Sequence, residues 1–323
     1  MARIIPVFIP HEGCPHDCVF CNQRRIAAPV SPAPEDVREQ VCTALHTAGA
    51  GAELAFYGGS FTALSMARQE AYLQAVSGLP ITIRLSTRPD AIDEEVLSLL
   101  AHFPVKTIEL GAQSMSDKVL FNSGRGHRAE DTRRASALIR EAGFSLILQV
   151  MCGLPGDADT WTDTAHEIAR LKPDGVRIYP VVVIRDTRLY ELWKAGVYVP
   201  LTPEQGACAA ADMLEVFLQR HIPVIRIGLN PTQELSSGGA VAGAYHPALG
   251  EMARAQVYLR RMLASAGPVR AGKVTFYVNE KRISRALGIR KGNLEALRQM
   301  GYADTAVAGR PDLGEYEVES FWS

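Results

Sequence analysis

Six short β-forming runs alternate with helix-length stretches over the first half of the chain, and that rhythm limits the fold more than any other feature. The runs are Ile4–Ile9, Glu53–Tyr57, Ile81–Leu85, Lys106–Leu110, Ser145–Met151 and Gly175–Pro180. Between them, Pro34–Ala48, Ala63–Val76, Ile92–His102, Arg128–Ala142 and Thr160–Leu171 read as helices, the first opening on a proline in its first turn. Strands separated by helices predict a parallel sheet with helical crossovers. Periodicity does not separate an open sheet from a barrel. In either case the loops after the strands are the expected functional face.

The rhythm breaks near Val181. Helices are expected at about Asp186–Ala195 and Pro203–Arg220, then a strand at Pro223–Ile227. Asn230–Pro247, rich in glycine and serine, reads as a long loop, and Ala248–Ala264 as a helix. Gly267–Pro268 looks like a boundary. Beyond it, Lys273–Val278, two short helices and Tyr316–Ser320 suggest a small α/β unit. The expected division is therefore 1–232, 233–267 and 268–323.

The chemistry starts at Cys14, Cys18 and Cys21, spaced C-x₃-C-x₂-C on a loop after the first strand. Three thiolates so placed can hold three corners of an iron–sulfur cluster and leave the fourth iron open. Zinc competes, with His11 or His16 as a fourth ligand. A disulfide framework does not suit three cysteines within eight positions of a large chain. Cys42, Cys152 and Cys208 are scattered and read as small core residues.

This spacing resembles that of the radical S-adenosylmethionine (SAM) enzymes, and the resemblance implies SAM bound at the open iron. Successive strand ends offer groups for it. Tyr57-Gly58-Gly59-Ser60 brings two glycines, which let backbone approach a ligand and turn carbonyls toward an ammonium group. Ser86 and Thr87 suit a ribose or a carboxylate. Arg88 can clamp the SAM carboxylate or, equally, pair with Asp90. Gly111–Ser114 adds Gln113; Gly153 and Leu154 offer a backbone edge for adenine, and Phe20 an aromatic face.

The blocks FYGGSFTAL, STRPD, LGAQS, NSGRGH (Asn122–His127) and RIYPVVVIRDTRLYELWKAGVY (Arg177–Tyr198) are similar to the radical-SAM domain of the Elongator catalytic subunit, which modifies the wobble uridine of transfer RNA. The resemblance runs from about Ile4 to Thr232 and does not take in that family's acetyltransferase domain. It implies a partial (β/α)₆ TIM-like barrel, one [4Fe–4S] cluster held by Cys14, Cys18 and Cys21, and SAM cleaved to a 5′-deoxyadenosyl radical. It also implies that Gly58, Gly59 and Gln113 line SAM. Gly153–Gly156, as GLPG, looks more like the oxygen-independent coproporphyrinogen oxidases. On the substrate side, Tyr179 and Arg185 are the catalytic candidates, with Tyr190, Tyr245 and His246 nearby in sequence.

With a net charge of −1 the chain has no global pull toward nucleic acid, so such a partner needs a local patch. Between Arg260 and Lys291 there are nine basic residues and one acid, Glu280. There, strand, helix, Leu287–Leu294, helix and strand resemble a KH module, which clamps RNA backbone with a G-x-x-G loop. Gly288 is the first glycine, Asn293 stands at the matching place, and Lys291 replaces the second glycine, where its ammonium can hold a phosphate beside Arg290.

Together these features point to a radical SAM enzyme acting on a tRNA or rRNA base. It would be served by an electron donor such as flavodoxin or ferredoxin. A small-molecule substrate of the porphyrin-oxidase kind, or an RNA-binding protein with a structural or sensory cluster, are the alternatives. No apolar run approaches the roughly 20 residues that span a bilayer. Cysteine usage fits a reducing cytoplasm.

Overall fold

In runs such as Ile81–Thr87 and Gly175–Pro180 apolar and polar residues alternate, and that alternation gives the sheet two unlike faces. The computed structural model describes residues 3–22, 30–49, 51–158, 160–232 and 235–323. The start of the first expected segment and residues 233 and 234 of the long loop lie outside them. Strands β1 (Ile4–Phe8), β2 (Ala52–Tyr57), β3 (Ile81–Thr87), β4 (Val105–Gln113), β5 (Ser145–Cys152) and β6 (Gly175–Pro180) pair in sequence order. All these pairings are parallel. β8 (Val224–Ile227) joins beside β6, giving a seven-stranded open parallel sheet curled into a half-barrel. Pro6 is tolerated because β1 is an edge strand, where a missing N–H breaks no ladder bond.

One face carries Val7, Leu54, Phe56, Ile83, Leu85, Ile108, Leu146, Leu148 and Ile178, all buried. Helices α1 (Pro34–Ala48), α2 (Met66–Ala75), α3 (Glu94–Ala101), α4 (Asp117–Asn122), α5 (Ala129–Glu141) and α6 (Trp161–Arg170) follow the strands. Their starts are chemically marked. Ser65 and Asp93 accept backbone N–H bonds at the heads of α2 and α3. The concave face of the sheet is polar.

After β6 come β7 (Val182–Ile184), α7 (Arg188–Lys194), α8 (Pro203–Gln219), β9 (Ala240–Gly243) and α9 (Leu249–Ala266). β7 and β9 form an antiparallel pair inside what the composition read as plain loop. Its residues are small (Ala240, Val241, Ala242, Gly243), too short a run to stand out. Beyond α9, β10 (Lys273–Asn279), α10 (Ile283–Leu287), α11 (Gly292–Gln299), β11 (Asp304–Arg310) and β12 (Val318–Trp322) complete the chain. Their sheet runs β11-β10-β12, with β11 parallel and β12 antiparallel to β10. β11 was not expected, because Asp304-Thr-Ala-Val-Ala-Gly-Arg carries little apolar signal. No helix among the described residues is long and apolar enough to cross a membrane.

Candidate functional site

The cysteine loop is laced by backbone to the loop after β2. Ile9 N–H donates to the Tyr57 carbonyl (2.8 Å), His11 N–H to Gly58 (3.0 Å), and Ser60 N–H to Glu12 (2.9 Å). A β-carbon on Gly59 would stand 2.5 Å from the carbonyl oxygens of Ile9 and Glu12, so only glycine lets the two loops meet. Gly13 is in the left-handed region (φ +75°), and a side chain there would collide with the Ser60 carbonyl. The glycine pair thus braces the cysteine loop, and the Gly58 carbonyl expected to face an ammonium group already accepts from His11.

All three cysteines are half-buried, and none is in a disulfide. Cys14 Sγ lies 3.6 Å from Ser60 Oγ, and Cys21 N–H closes a turn on the Cys18 carbonyl (3.0 Å). Arg125 Nη1 donates to Cys18 Sγ at 3.4 Å while its Nη2 holds the Gly111 carbonyl. Among the described residues no three His, Cys, Asp or Glu side chains gather around one point. A cubane cluster does not require that, since each thiolate takes its own iron. Three cysteines on one loop, none in a disulfide and one with a guanidinium beside its sulfur, fit a [4Fe–4S] donor set.

The other strand-end residues divide. Gln113, at the bulged end of β4, takes a left-handed φ of +65° and is buried, its Oε1 accepting from Gln149 Nε2 (3.2 Å). Ser86 is half-buried on the same side of β3 as Arg84, and Phe20 packs against the cluster around Val19, Met151 and Leu154. Thr87 points the other way. Its hydroxyl, expected to suit a ribose or a carboxylate, sits 2.6 Å from Thr62 Oγ1 and accepts the Thr62 N–H. Arg88 is 2% exposed, forks onto both oxygens of Asp90 (2.9 Å each) and donates to the Arg125 carbonyl. Of the two expected roles, the structure has the pairing with Asp90; burial raises the Asp90 carboxyl, and the bonds from Arg88 outweigh that and lower it. At Gly153, whose backbone edge was expected to meet adenine, the N–H donates to Asp157 (2.9 Å) and the carbonyl accepts Tyr198 OH (2.6 Å). The Leu154 carbonyl accepts from Asp157 N–H, and its side chain is buried.

The concave face holds a charged network that no motif announced. Glu109 Oε1 accepts from Arg84 Nη1 (2.7 Å), Arg177 Nη2 (2.9 Å) and Tyr57 OH (3.3 Å). Arg84 also grips Glu53 through two nitrogens (2.8 and 3.0 Å). Burial and the neighbouring Glu109 charge push the Tyr57 phenol well up, and Arg177 is held firmly charged, burial outweighed by Glu109. Tyr179, two residues past Arg177 on the same face, is raised by burial. The signal was present as register: Glu53, Tyr57, Arg84, Glu109, Arg177 and Tyr179 all alternate with apolar neighbours. Polar residues on the inner face of a curled sheet face its interior. Arg125 and His127 lay inside the NSGRGH block without a role. His127 Nε2 bonds the Ala112 carbonyl (3.2 Å); burial, then Arg125, press its pKa down to about 4.

Arg185 is not in this interior. It is exposed beyond β7, its N–H donating to the Gly239 carbonyl and its guanidinium over the Tyr190 ring. Tyr245 OH bonds Ser236 Oγ (3.0 Å), and exposed His246 accepts the Ala248 N–H at the head of α9.

In the C-terminal unit Asn293 is buried and its amide donates to the Ala255 and Ala286 carbonyls, which ties α9 to α10. Gly288 (φ +74°) packs against it, with a β-carbon 3.1 Å from Asn293. Arg290 and Lys291 are exposed and both left-handed (φ 52° and 63°), the conformation glycine would take there. Of the other basic residues, Arg260 pairs with Asp212 and Glu215, Arg282 with Glu315, and Arg285 with Glu251 and Glu315. The local excess of charge is smaller than the sequence count.

Comparison with known proteins agrees with this geometry. Residues 8–168 match the radical SAM superfamily, and residues 173–261 match the Radical_SAM C-terminal domain. The chain is 35% identical over 130 residues to a tRNA uridine(34) acetyltransferase of Methanocaldococcus jannaschii, covering 39% of this chain and 24% of that protein. It is 31% identical over 157 residues to human Elongator complex protein 3, covering 45% and 28%. The chain thus spans about a quarter of the length of these curated relatives. The fold is similar to that of the archaeal Methanocaldococcus infernus Elp3 with an N-terminal deletion. There the TM-score is 0.63 at 22% identity, over 80% of this chain and 63% of that one.

Proposed function

The chain belongs to the radical SAM superfamily and is an enzyme of that class, and from that premise we propose that it modifies a base in RNA. The observation that carries the reading is the cysteine loop, laced to Gly58–Ser60 at the mouth of a half-barrel whose concave face is polar. When bound, the reduced [4Fe–4S] cluster and SAM supply a carbon radical able to take hydrogen from an unactivated C–H bond.

The protein's own residues do the rest. Cys14, Cys18 and Cys21 hold the cluster, and the Arg125 guanidinium sets a positive charge against the Cys18 sulfur. Gln113, Ser60, Ser86 and Phe20 line the SAM side, with Gly58 and Gly59 fixing the loop beneath it. Arg177, anchored by Glu109, and Tyr179 beside it face the substrate. RNA as the substrate class is supported by similarity to a tRNA uridine(34) acetyltransferase and by the exposed Arg290–Lys291 loop of the 268–323 unit. A base reaches the half-barrel interior only when unpaired or flipped out. The electron comes from a low-potential carrier such as a flavodoxin or ferredoxin.

Nucleoside mass spectrometry of total RNA, with and without the gene, tests the reading. Loss of one modified nucleoside on deletion, restored by the wild-type gene and not by Cys18→Ala, is the expected result. An unchanged nucleoside profile removes RNA as the substrate and leaves a small molecule.

A further inference from the structure

We propose that helix α7 and the turn before it form a stacking platform for single-stranded RNA next to the cysteine loop. The proposal rests on the RNA reading above and adds the surface that holds the strand.

On this segment aromatic rings and cations interleave. The Tyr190 ring has the Arg185 guanidinium 5.9 Å from its centroid and the Lys194 ammonium 5.2 Å away. The Trp193 ring is 5.9 Å from Tyr190, tilted by 38°. Arg185, Arg188 and Lys194 are exposed, and Tyr190 and Trp193 are half-buried, so the rings are held from below and open above. Lys194 has a loose partner in Glu191 (3.8 Å); among the described residues Arg185 and Arg188 form no ion pair. With Asp186 and Glu191 on the same segment, the excess of positive charge is small. Stacking, not charge, must therefore supply most of the grip.

Position supplies the second argument. Leu189 N–H donates to the Val19 carbonyl at 2.7 Å, between Cys18 and Cys21. The chain after Cys21 is tied to the same turn, Asn22 Nδ2 donating to the Asp186 carbonyl at 3.5 Å. Bases laid on Tyr190 and Trp193 are therefore set beside the reacting centre. Aromatic rings hold any base by its face, and flanking cations track the backbone, which is the chemistry of strand binding without sequence preference.

The test titrates the full-length, cluster-loaded protein with an oligouridine of about 12 nucleotides, following tryptophan fluorescence. A duplex of the same length serves as the control. Single strand should quench the emission more than duplex. Trp193→Leu should lose most of the quench and weaken binding about tenfold, while Trp193→Phe keeps much of the affinity. Arg185→Glu with Lys194→Glu, on exposed side chains that folding does not need, should weaken it further and flatten its salt dependence. Unchanged affinity in both Trp193→Leu and the charge variant overturns the platform and leaves the RNA reading standing. Unchanged RNA affinity with slower reduction by an acidic electron carrier overturns it too, assigning the patch to a protein. No binding of RNA by the wild type overturns both readings.

Discussion

The cysteine end of the half-barrel and the C-terminal unit are both dense in polar and charged residues, yet they are built in opposite ways. At the cysteine end, backbone bonds between neighbouring strand-end loops fix the chain, and side chains such as Cys14, Cys18 and Ser86 keep some exposure. In the C-terminal unit, side chains do the fixing. Arg260, Arg285 and Asn293 are spent on Asp212, Glu251 and the Ala255 carbonyl, while among the described residues Arg270, Lys273, Lys281 and the Arg290–Lys291 turn are exposed and in no ion pair. A run of charge in sequence is therefore a poor guide to a free surface, whereas a glycine that two backbones need is a good guide to a held loop.

The sharpest way to break this contrast is at the thiolates. Cys18→Ala, in anaerobically reconstituted protein, should lose the cluster's iron and its visible absorption, because two thiolates do not hold a cubane. Full iron content in that variant would place the cluster elsewhere. Next in size is the concave network. Glu109→Ala leaves the mostly buried Arg177 without its carboxylate and Arg84 with Glu53 alone, and should cost about 3 kcal/mol in urea unfolding. A change below about 0.5 kcal/mol would mean that the network is solvated and does not brace the sheet.

His127 sharpens the comparison through pH. Its folded pKa is pressed to about 4, below the ordinary 6.5, so the unfolded chain takes up a proton first on acidification. Stability from this group is fully present above pH 6.5 and is lost as pH falls toward 4. Between pH 7 and 5 the loss should be about 2 kcal/mol, and His127→Gln should remove it from the unfolding curve. An identical pH profile in the variant would contradict the burial argument.

At the C-terminal unit, Arg290→Ala with Lys291→Ala should weaken RNA binding severalfold and lower the salt slope by about two, as expected for two lost phosphate contacts. The smallest effect is expected at Tyr198→Phe, which removes one bond to the Gly153 carbonyl and should cost about 1 kcal/mol in the same urea unfolding experiment.

Much of this was legible before any coordinates. The β/α rhythm placed the six sequential strands and five of their helices, while α4, six residues long, was too short to show in the pattern. The three cysteines stood out by their spacing, whereas the glycine pair, expected to turn carbonyls toward an ammonium group, braces the cysteine loop. Thr87, Arg88, Gly153 and Asn293, expected to meet ligands, also bond within the protein to Thr62, Asp90, Tyr198 and Ala255, and sequence does not show such partners. The Glu109 network was missed for a different reason. Its members are dozens of residues apart, and only the curl of the sheet brings Tyr57, Arg84 and Arg177 to one carboxylate.

The central claim is that Cys14, Cys18 and Cys21 hold a cluster with one iron open to SAM. Formation of 5′-deoxyadenosine by the reconstituted, chemically reduced protein tests it most directly. The account predicts 5′-deoxyadenosine from the wild type and none from Cys18→Ala; a wild type that leaves SAM intact, or a variant that cleaves it equally well, would contradict it.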